Sequence, residues 1–335
     1  MTSRRPAPTP RGHDRRSFLK GVGLATAAVT AASTGLAPRS AEAGGIAPVF
    51  TEPPADAAPL PQVTLCGHKV PRMILGCNPV GGGAHAVPSL ARTMREYFTE
   101  DVTTDFLAHA EKWGLDTWIS YWGKKPLAAV RRRWESGSKL RVYFLAKLDK
   151  DGKIGGAESK EVGDITEYKP LFLIHHGGVT DSLFRAGKQE QVHDFLKKAH
   201  DMGFPAGVSA HNPEVFKYIE DKGWEADLYQ CCLYYVTRPK GEIRAKLGTA
   251  MLGEPFLEKD RDDMLEVIQN VSKPCIAFKA LAAGRHCHSP MSVAEALRYA
   301  YSRIKPSDVL IVGMWPRFKD EVAENVGLLR KYGVA

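Results

Sequence analysis

Apolar residues follow two rhythms along this chain. Eight short runs are apolar at successive or alternate positions: Met73–Cys77, Thr117–Tyr121, Val142–Lys147, Leu171–His175, Gly207–Ala210, Asp227–Leu233, Pro274–Phe278 and Val309–Gly313. Runs of this length and apolarity read as strands, most of them buried on both faces. Between several of them the spacing lengthens to threes and fours. It is clearest over Gln189–Met202, where Val192, Phe195, Leu196, Ala199 and Met202 form one core-facing stripe. Helical patterns recur over Asp105–Trp113, Pro213–Asp221, Leu257–Gln269, Val293–Ile304 and Asp320–Lys331. Strands alternating with helices imply a parallel sheet, and eight repeats imply closure, so the expected fold is an α/β, (β/α)8 TIM barrel. One unit breaks the alternation. Leu148–Lys169 is polar, glycine-bearing and aperiodic, and because it follows a strand directly it is expected as a long loop over the active face, in the position of a lid.

The ends of the chain change the picture of charge. Arg15-Arg16-Ser17-Phe18-Leu19-Lys20 is followed by an Ala-rich run over Gly21–Leu36 and by Ala41-Glu42-Ala43. Together these resemble a twin-arginine export signal with an Ala-x-Ala cleavage site. The resemblance implies a periplasmic or otherwise exported protein whose partner is the export machinery. The apolar run is too short and too rich in Ala and Thr for a membrane span, which needs ~20 predominantly apolar residues, so stable membrane insertion is not expected. The expected division is a signal over 1–43, a Pro/Ala-rich linker over 44–62 and a catalytic barrel over 63–335. The whole chain carries +8; beyond residue 43, 39 Lys/Arg stand against 36 Asp/Glu, a formal charge of +3. The one remaining cationic cluster, Arg131-Arg132-Arg133, sits in a helical pattern with Trp134 and reads as a solvated helix face, so no nucleic-acid partner is expected. The six cysteines lack CxxC pairing; Cys77 and Cys275 fall on expected strands as core thiols.

Candidate chemistry gathers at strand ends, and above all at Leu171-Phe-Leu-Ile-His175-His176-Gly-Gly, where an apolar run stops in two imidazoles and a glycine turn. The carboxyl ends of barrel strands carry the active site, which places His175 where a reacting group sits. A strand-end histidine bonded to nearby backbone is the plainer alternative.

From about Val70 to Leu329 the chain resembles a divergent aldo-keto reductase. The matching pieces are Ile74-Leu75-Gly76, Leu145-Ala146-Lys147, Leu173-Ile174-His175, Gly207-Val208-Ser209-Ala210-His211-Asn212, Tyr229-Gln230, Ile311-Val312-Gly313 and Glu324-Asn325, in order around the barrel. The resemblance implies an oxidoreductase that reduces a carbonyl, or oxidises an alcohol, of a small-molecule substrate with NADP(H) or NAD(H). Lys147 and His175 match the family's catalytic lysine and histidine. Tyr121 is the candidate acid, one residue out of register, with packing against Trp118 and Trp122 as its alternative role. The family's second-strand aspartate has no counterpart, its place falling on Ile119 or Ser120. For the cofactor, Ser209, Asn212 and Gln230 match positions that hold the nicotinamide carboxamide, Tyr234 a stacking ring, Gly313 a phosphate loop, and Asn325 an adenine contact. Arg317 and Lys319 are placed for a ribose phosphate, or are simply solvated.

Two features lie outside the reductase pattern. His176 and His211 add imidazoles beside His175, and three convergent imidazoles suit zinc, nickel or iron. Adjacent strand residues point to opposite faces, however, so His175 and His176 do not easily share an ion. Lys279 and Arg285 add two cations after the seventh strand. The alternatives to a reductase are therefore the same barrel turned to metal-assisted lyase, isomerase or hydrolase chemistry on His175, His176 and His211, or a noncatalytic ligand-binding barrel.

Overall fold

The computed structural model describes residues 46–156 and 164–334. An antiparallel hairpin comes first, β1 (Gln62–Leu65) and β2 (His68–Pro71), joined through Cys66 and Gly67, both at positive φ. That is the left-handed pair a two-residue hairpin turn requires.

Eight parallel strands then close on themselves: β3 (Met73–Gly76), β4 (Thr117–Ser120), β5 (Arg141–Leu148), β7 (Leu173–His175), β8 (Ala206–Ala210), β9 (Leu228–Cys232), β10 (Cys275–Phe278) and β11 (Val309–Gly313). The ring is completed by β11 on β3 and by β4 on β5. Each of the eight runs found in the sequence supplies one of these strands. The helices are α1 (Asn78–Gly81), α2 (Pro88–Tyr97), α3 (Glu100–Lys112), α4 (Lys124–Glu135), α5 (Gly177–Arg185), α6 (Glu190–Asp201), α7 (Pro213–Lys222), α8 (Lys240–Leu247), α9 (Glu258–Asn270), α10 (Pro290–Tyr301) and α11 (Glu321–Tyr332). The apolar stripe of α6, from Val192 to Ala199, is fully buried. Cys77 and Cys275 are buried thiols. On α4, Arg131, Arg132 and Arg133 each pair with a carboxylate, Glu167, Asp101 and Glu111 respectively.

Three hydrogen-bonded side chains fix which residues face the interior. The Tyr143 hydroxyl donates to Gln230 Oε1 at 3.1 Å, and Gln230 Nε2 donates to Ser209 Oγ at 3.3 Å. β5 and β9 are separated by two strands, so Tyr143 and Gln230 meet only through the inside of the barrel. Because residues paired across a ladder share a face and alternate along it, Ile74, Ile119, Ile174, Ile276 and Ile311 also point inward. Trp118, Phe144, Leu173 and Val208 point outward into the helix layer.

Two segments differ from their sequence reading. Leu148–Lys169 is not one open loop: β5 continues to Leu148 and the chain returns as β6 (Ile154–Gly156), antiparallel to it, with a 3-10 turn over Ile165–Tyr168. Gly156 lies so close to Trp122 that a Cβ there would overlap the Trp122 side chain. Residues 157–163 lie outside the described residues. The described part of the expected linker over 44–62 is docked on the barrel. Phe50 stacks on His109 at 4.1 Å, Thr51 donates to Asp320 through both its amide and its hydroxyl at 2.7 Å, Val49 N donates to Pro316 O, and Trp113 Nε1 donates to Thr51 O. Pro and Ala gave no period to read, but Thr51 reaches a carboxylate that already bonds His109. The expected signal over 1–43 lies outside the described residues. Among the described residues no helix is long and apolar enough to cross a membrane.

Candidate active site at the barrel mouth

The side-chain alternation sorts the strand-end residues. Leu145 pairs with the inward Ile174, so Lys147, two residues on, faces inward at the mouth. It has no ion-pair partner among the described residues. Tyr121 follows the outward Ser120 and lies in a slot between two glycines: a Cβ on Gly81 would come within 2.9 Å of its ring, and one on Gly123 within 2.7 Å. Tyr121 and Lys147 therefore stand on neighbouring strands with the same facing.

His175 faces the other way. It pairs with the outward Val208, its Nδ1 donates to Thr180 Oγ1 at 2.7 Å, and its ring meets Phe195 of α6 edge-on at 5.0 Å. The Thr180 hydroxyl itself donates to His176 O at 3.1 Å, which leaves its oxygen to accept from the imidazole. Burial in this layer pushes the His175 pKa down to about 3, with His176 and Lys147 adding to the shift. His175 is a neutral structural histidine, and its neighbour takes the inward place.

His176 caps α5, accepting from Val179 N at 3.4 Å. Burial, then the charges of His211 and Lys147, lower its pKa to about 4, with Asp181 opposing and Lys279 contributing. His211 is the better-supported imidazole. Its Nδ1 bonds Asp181 Oδ2 at 2.7 Å. That carboxylate, on α5 and almost fully buried, also takes the amides of His211 and Asn212 and the Thr237 hydroxyl. A carboxylate that accepts from Nδ1 fixes the tautomer of the imidazole it faces, leaving Nε2 with its lone pair. Burial lowers the His211 pKa, against the hydrogen bond and charge of Asp181, with Lys279 and His85 pushing the same way as burial.

A second set of bonded side chains lies two strands further round the mouth, at the end of β10, where Phe278 meets the His211 ring at 5.6 Å. Lys279, directly after β10, has φ +63, and its Nζ lies 2.9 Å from His85 Nε2. Asn78 Nδ2 lies 3.0 Å from the same nitrogen, and His85 Nδ1 lies 2.8 Å from Glu254. Two donors on Nε2 assign the proton to Nδ1, which donates to the carboxylate. Burial lowers the Lys279 pKa, against the attraction of Cys232, Glu254 and Cys77, and Arg285 lowers it further. Burial works to raise the Glu254 pKa, but the His85 bond and the charges of His85, Lys279 and His211 outweigh it and hold the carboxyl below its usual range. His85 is also at positive φ, +49. Left-handed non-glycine residues cost on the order of 1–3 kcal/mol each and persist where surroundings impose them.

No metal centre assembles here. His175 is turned away from His176 and His211, and among the described residues no group of three His, Cys, Asp or Glu side chains is arranged to hold an ion.

The places expected to hold a nicotinamide dinucleotide are chemically committed elsewhere. Ser209 and Gln230 bond each other inside the barrel, and Asn212 caps α7 by accepting from Glu214 N at 3.2 Å. Tyr234 is buried, with its hydroxyl 2.9 Å from His286 Nε2 and its ring beside Phe256. Gly313 is exposed but has Pro79 on one side, 2.9 Å from where its Cβ would be. At α11 the mismatch is one of charge. Asp320 caps the helix, accepting from Ala323 N and Thr51, and Glu321 and Glu324 complete an acidic first turn. Lys319 is paired with Glu324 at 2.6 Å. Arg317 lies against the rings of Trp315 and Phe318, and Asn325 Nδ2 donates to Glu321 O in its own helix. Arg317 Nε, Trp315 Nε1 and Asn325 Oδ1 lack partners but are buried. Carboxylates at a helix amino terminus take the field that would otherwise hold a phosphate. The residues present do not fit a dinucleotide with its diphosphate here.

The sequence singled out Lys147, Tyr121, His176, His211 and Lys279 at this mouth. Asp181, His85 and Glu254 were missed. Asp181 carried one signal, a carboxylate one helical turn beyond the His-His-Gly-Gly stretch. His85 and Glu254 carried none, being 194 and 25 positions from Lys279 in loops without period.

No family model matches the chain, and no curated protein matches it. Among solved structures, the crystal structure of Gox0644 in its apo form is similar at 13% identity, with 80% of this chain and 87% of that one covered and a TM-score of 0.45.

Proposed function

We propose that the protein is an exported barrel enzyme that moves a proton on a small substrate bearing a carbonyl and a negative charge, in the manner of a lyase or isomerase. The observation that supports this best is the Asp181–His211 dyad, an imidazole set against a buried carboxylate at the end of a barrel strand. His211 Nε2 is the base that takes a proton from the carbon beside the carbonyl and later returns it. Lys147 brings positive charge to the enolate oxygen and carboxylate, where developing negative charge is stabilised. Tyr121, on the strand beside Lys147, is the acid for that oxygen. The same Tyr121–Lys147 pair is what favours the carbonyl reductase implied by the resemblance. The acidic first turn of α11 speaks against it.

The test is solvent-deuterium exchange into glyoxylate homologues with an exchangeable α-hydrogen, pyruvate and 2-oxobutyrate, followed by proton NMR. The expected result is catalysed exchange that falls 10²–10⁴-fold in His211→Asn, with unchanged thermal unfolding. Its rate should rise with pH through a value below the ordinary histidine 6.5, because the base works neutral and burial lowers its pKa. Exchange unaffected in His211→Asn, or turnover that starts only when NADPH is supplied, overturns the reading.

A further inference from the structure

Lys279 is a second reactive group at the same mouth, and its surroundings differ from those of an anion clamp. A lysine that only holds charge is met by carboxylates directly. Lys279 Nζ instead meets the lone pair of a neutral imidazole, His85 Nε2, at 2.9 Å, and the carboxylate stands one bond further back, Glu254 on His85 Nδ1 at 2.8 Å. This is a proton path leading away from the amine. The path is held in place: Arg285 Nη2 donates to His85 O at 3.2 Å, Asn78 steadies the ring, and both ends of the Lys279–His85 bond sit on left-handed backbone. Lys279 retains some solvent exposure, so its nitrogen is shielded without being sealed. The residue before it, Phe278, meets the His211 ring at 5.6 Å, which puts Lys279 at the same mouth.

We infer that Lys279 is a covalent nucleophile that condenses with the carbonyl of the substrate to form an imine, with Glu254 and His85 as the relay that accepts its proton. The ammonium passes one proton to His85 Nε2, and the imidazolium formed is stabilised by Glu254. The amine nitrogen adds to the carbonyl carbon, opening the C=O bond, and one N–H proton moves to the oxygen to give a neutral carbinolamine. Proton return from His85 to the hydroxyl expels water and leaves the C=N bond protonated, so that ammonium and carbonyl compound yield iminium and one water with no change of oxidation state. That iminium is a stronger electron sink than the carbonyl for the α-proton that His211 removes. The desolvation that lowers the Lys279 pKa favours the free amine the step needs. The inference rests on the carbonyl substrate proposed above, but its test does not depend on the dyad.

The experiment treats the full chain at pH 7 with glyoxylate, pyruvate or propanal and sodium cyanoborohydride, and maps by peptide mass the secondary amine left by reduction of an imine, an increment equal to the carbonyl compound less one oxygen. Expected is labelling of Lys279 at least tenfold faster than of Lys147 or the exposed Lys259, slowed at least tenfold in His85→Gln and Glu254→Gln with thermal unfolding retained. Lys279→Arg, which keeps the charge, should lose α-hydrogen exchange by at least 100-fold. Labelling no faster at Lys279 than elsewhere, or exchange surviving in Lys279→Arg, overturns the inference. His211→Asn separates the two ideas: trapping that persists there while exchange is lost leaves both standing. Trapping in a wild-type protein that exchanges nothing sinks the proton-transfer reading alone, and exchange without trapping sinks the imine alone.

Discussion

One residue of offset decides which of two adjacent histidines faces the barrel mouth. In Ile174-His175-His176 the sequence offers two imidazoles with the same flanks, and nothing local says which one turns inward. The answer comes from Tyr143, Gln230 and Ser209, whose bonds cross the interior and set the facing of every strand by register. His175 then meets Thr180 and Phe195 in the helix layer. A structural histidine leaves a different trace in acid from a catalytic one. Its folded pKa, about 3, lies below the ordinary 6.5, so the unfolded chain binds its proton first. The stability it contributes is whole above pH 6.5 and is lost progressively as pH falls towards 3. His175→Asn, whose amide can replace the Nδ1 donor to Thr180, should flatten the loss of urea midpoint between pH 6.5 and 4 and leave α-hydrogen exchange within twofold. A variant with the full acid sensitivity of the wild type would place that sensitivity elsewhere. The relay Lys279–His85–Glu254 was illegible for a related reason. Its members meet through loops, and a sequence without period carries no information about which loop tips touch.

At the scale of elements, the eight strands were legible because a strand covered on both faces must be apolar at successive positions, and Met73, Val142, Leu173, Leu228 and Val309 each fall in such a run and are buried. The hairpin β5–β6 was not legible. Its return strand Ile-Gly-Gly has one side chain larger than hydrogen, and it is positioned by contact with Trp122, which in turn meets the edges of Phe144 and Tyr168. A strand identified by what its glycine admits leaves no apolar alternation to count. The contact makes a sharp comparison. Gly156→Ala forces Trp122 to move and should cost about 1–3 kcal/mol of unfolding free energy, whereas Gly155→Ala, with open space around it, should stay within about 0.5 kcal/mol. Denaturant unfolding of both variants checks this, and equal costs would mean the hairpin does not rest on Trp122.

At the scale of the molecule, the amino-terminal end carries both the proposed export signal, outside the described residues, and a contact that spans the fold. An exporter that reads paired guanidinium groups should reject Arg15→Lys with Arg16→Lys, so that the precursor accumulates uncleaved in the cytoplasm. Processed protein outside the cytoplasm in that double variant removes the export reading. Thr51 bonds Asp320 across 269 positions of sequence, and Phe50 stacks on the His109 that bonds the same carboxylate. During synthesis the first of these residues leaves the ribosome long before the last, and the bond cannot form until residue 320 has followed. The described amino-terminal segment thus cannot be fully seated until Asp320 has emerged, and a chain truncated before that residue never makes the bond. The seating of Thr51 therefore reports that translation has run as far as Asp320, at the head of the last helix.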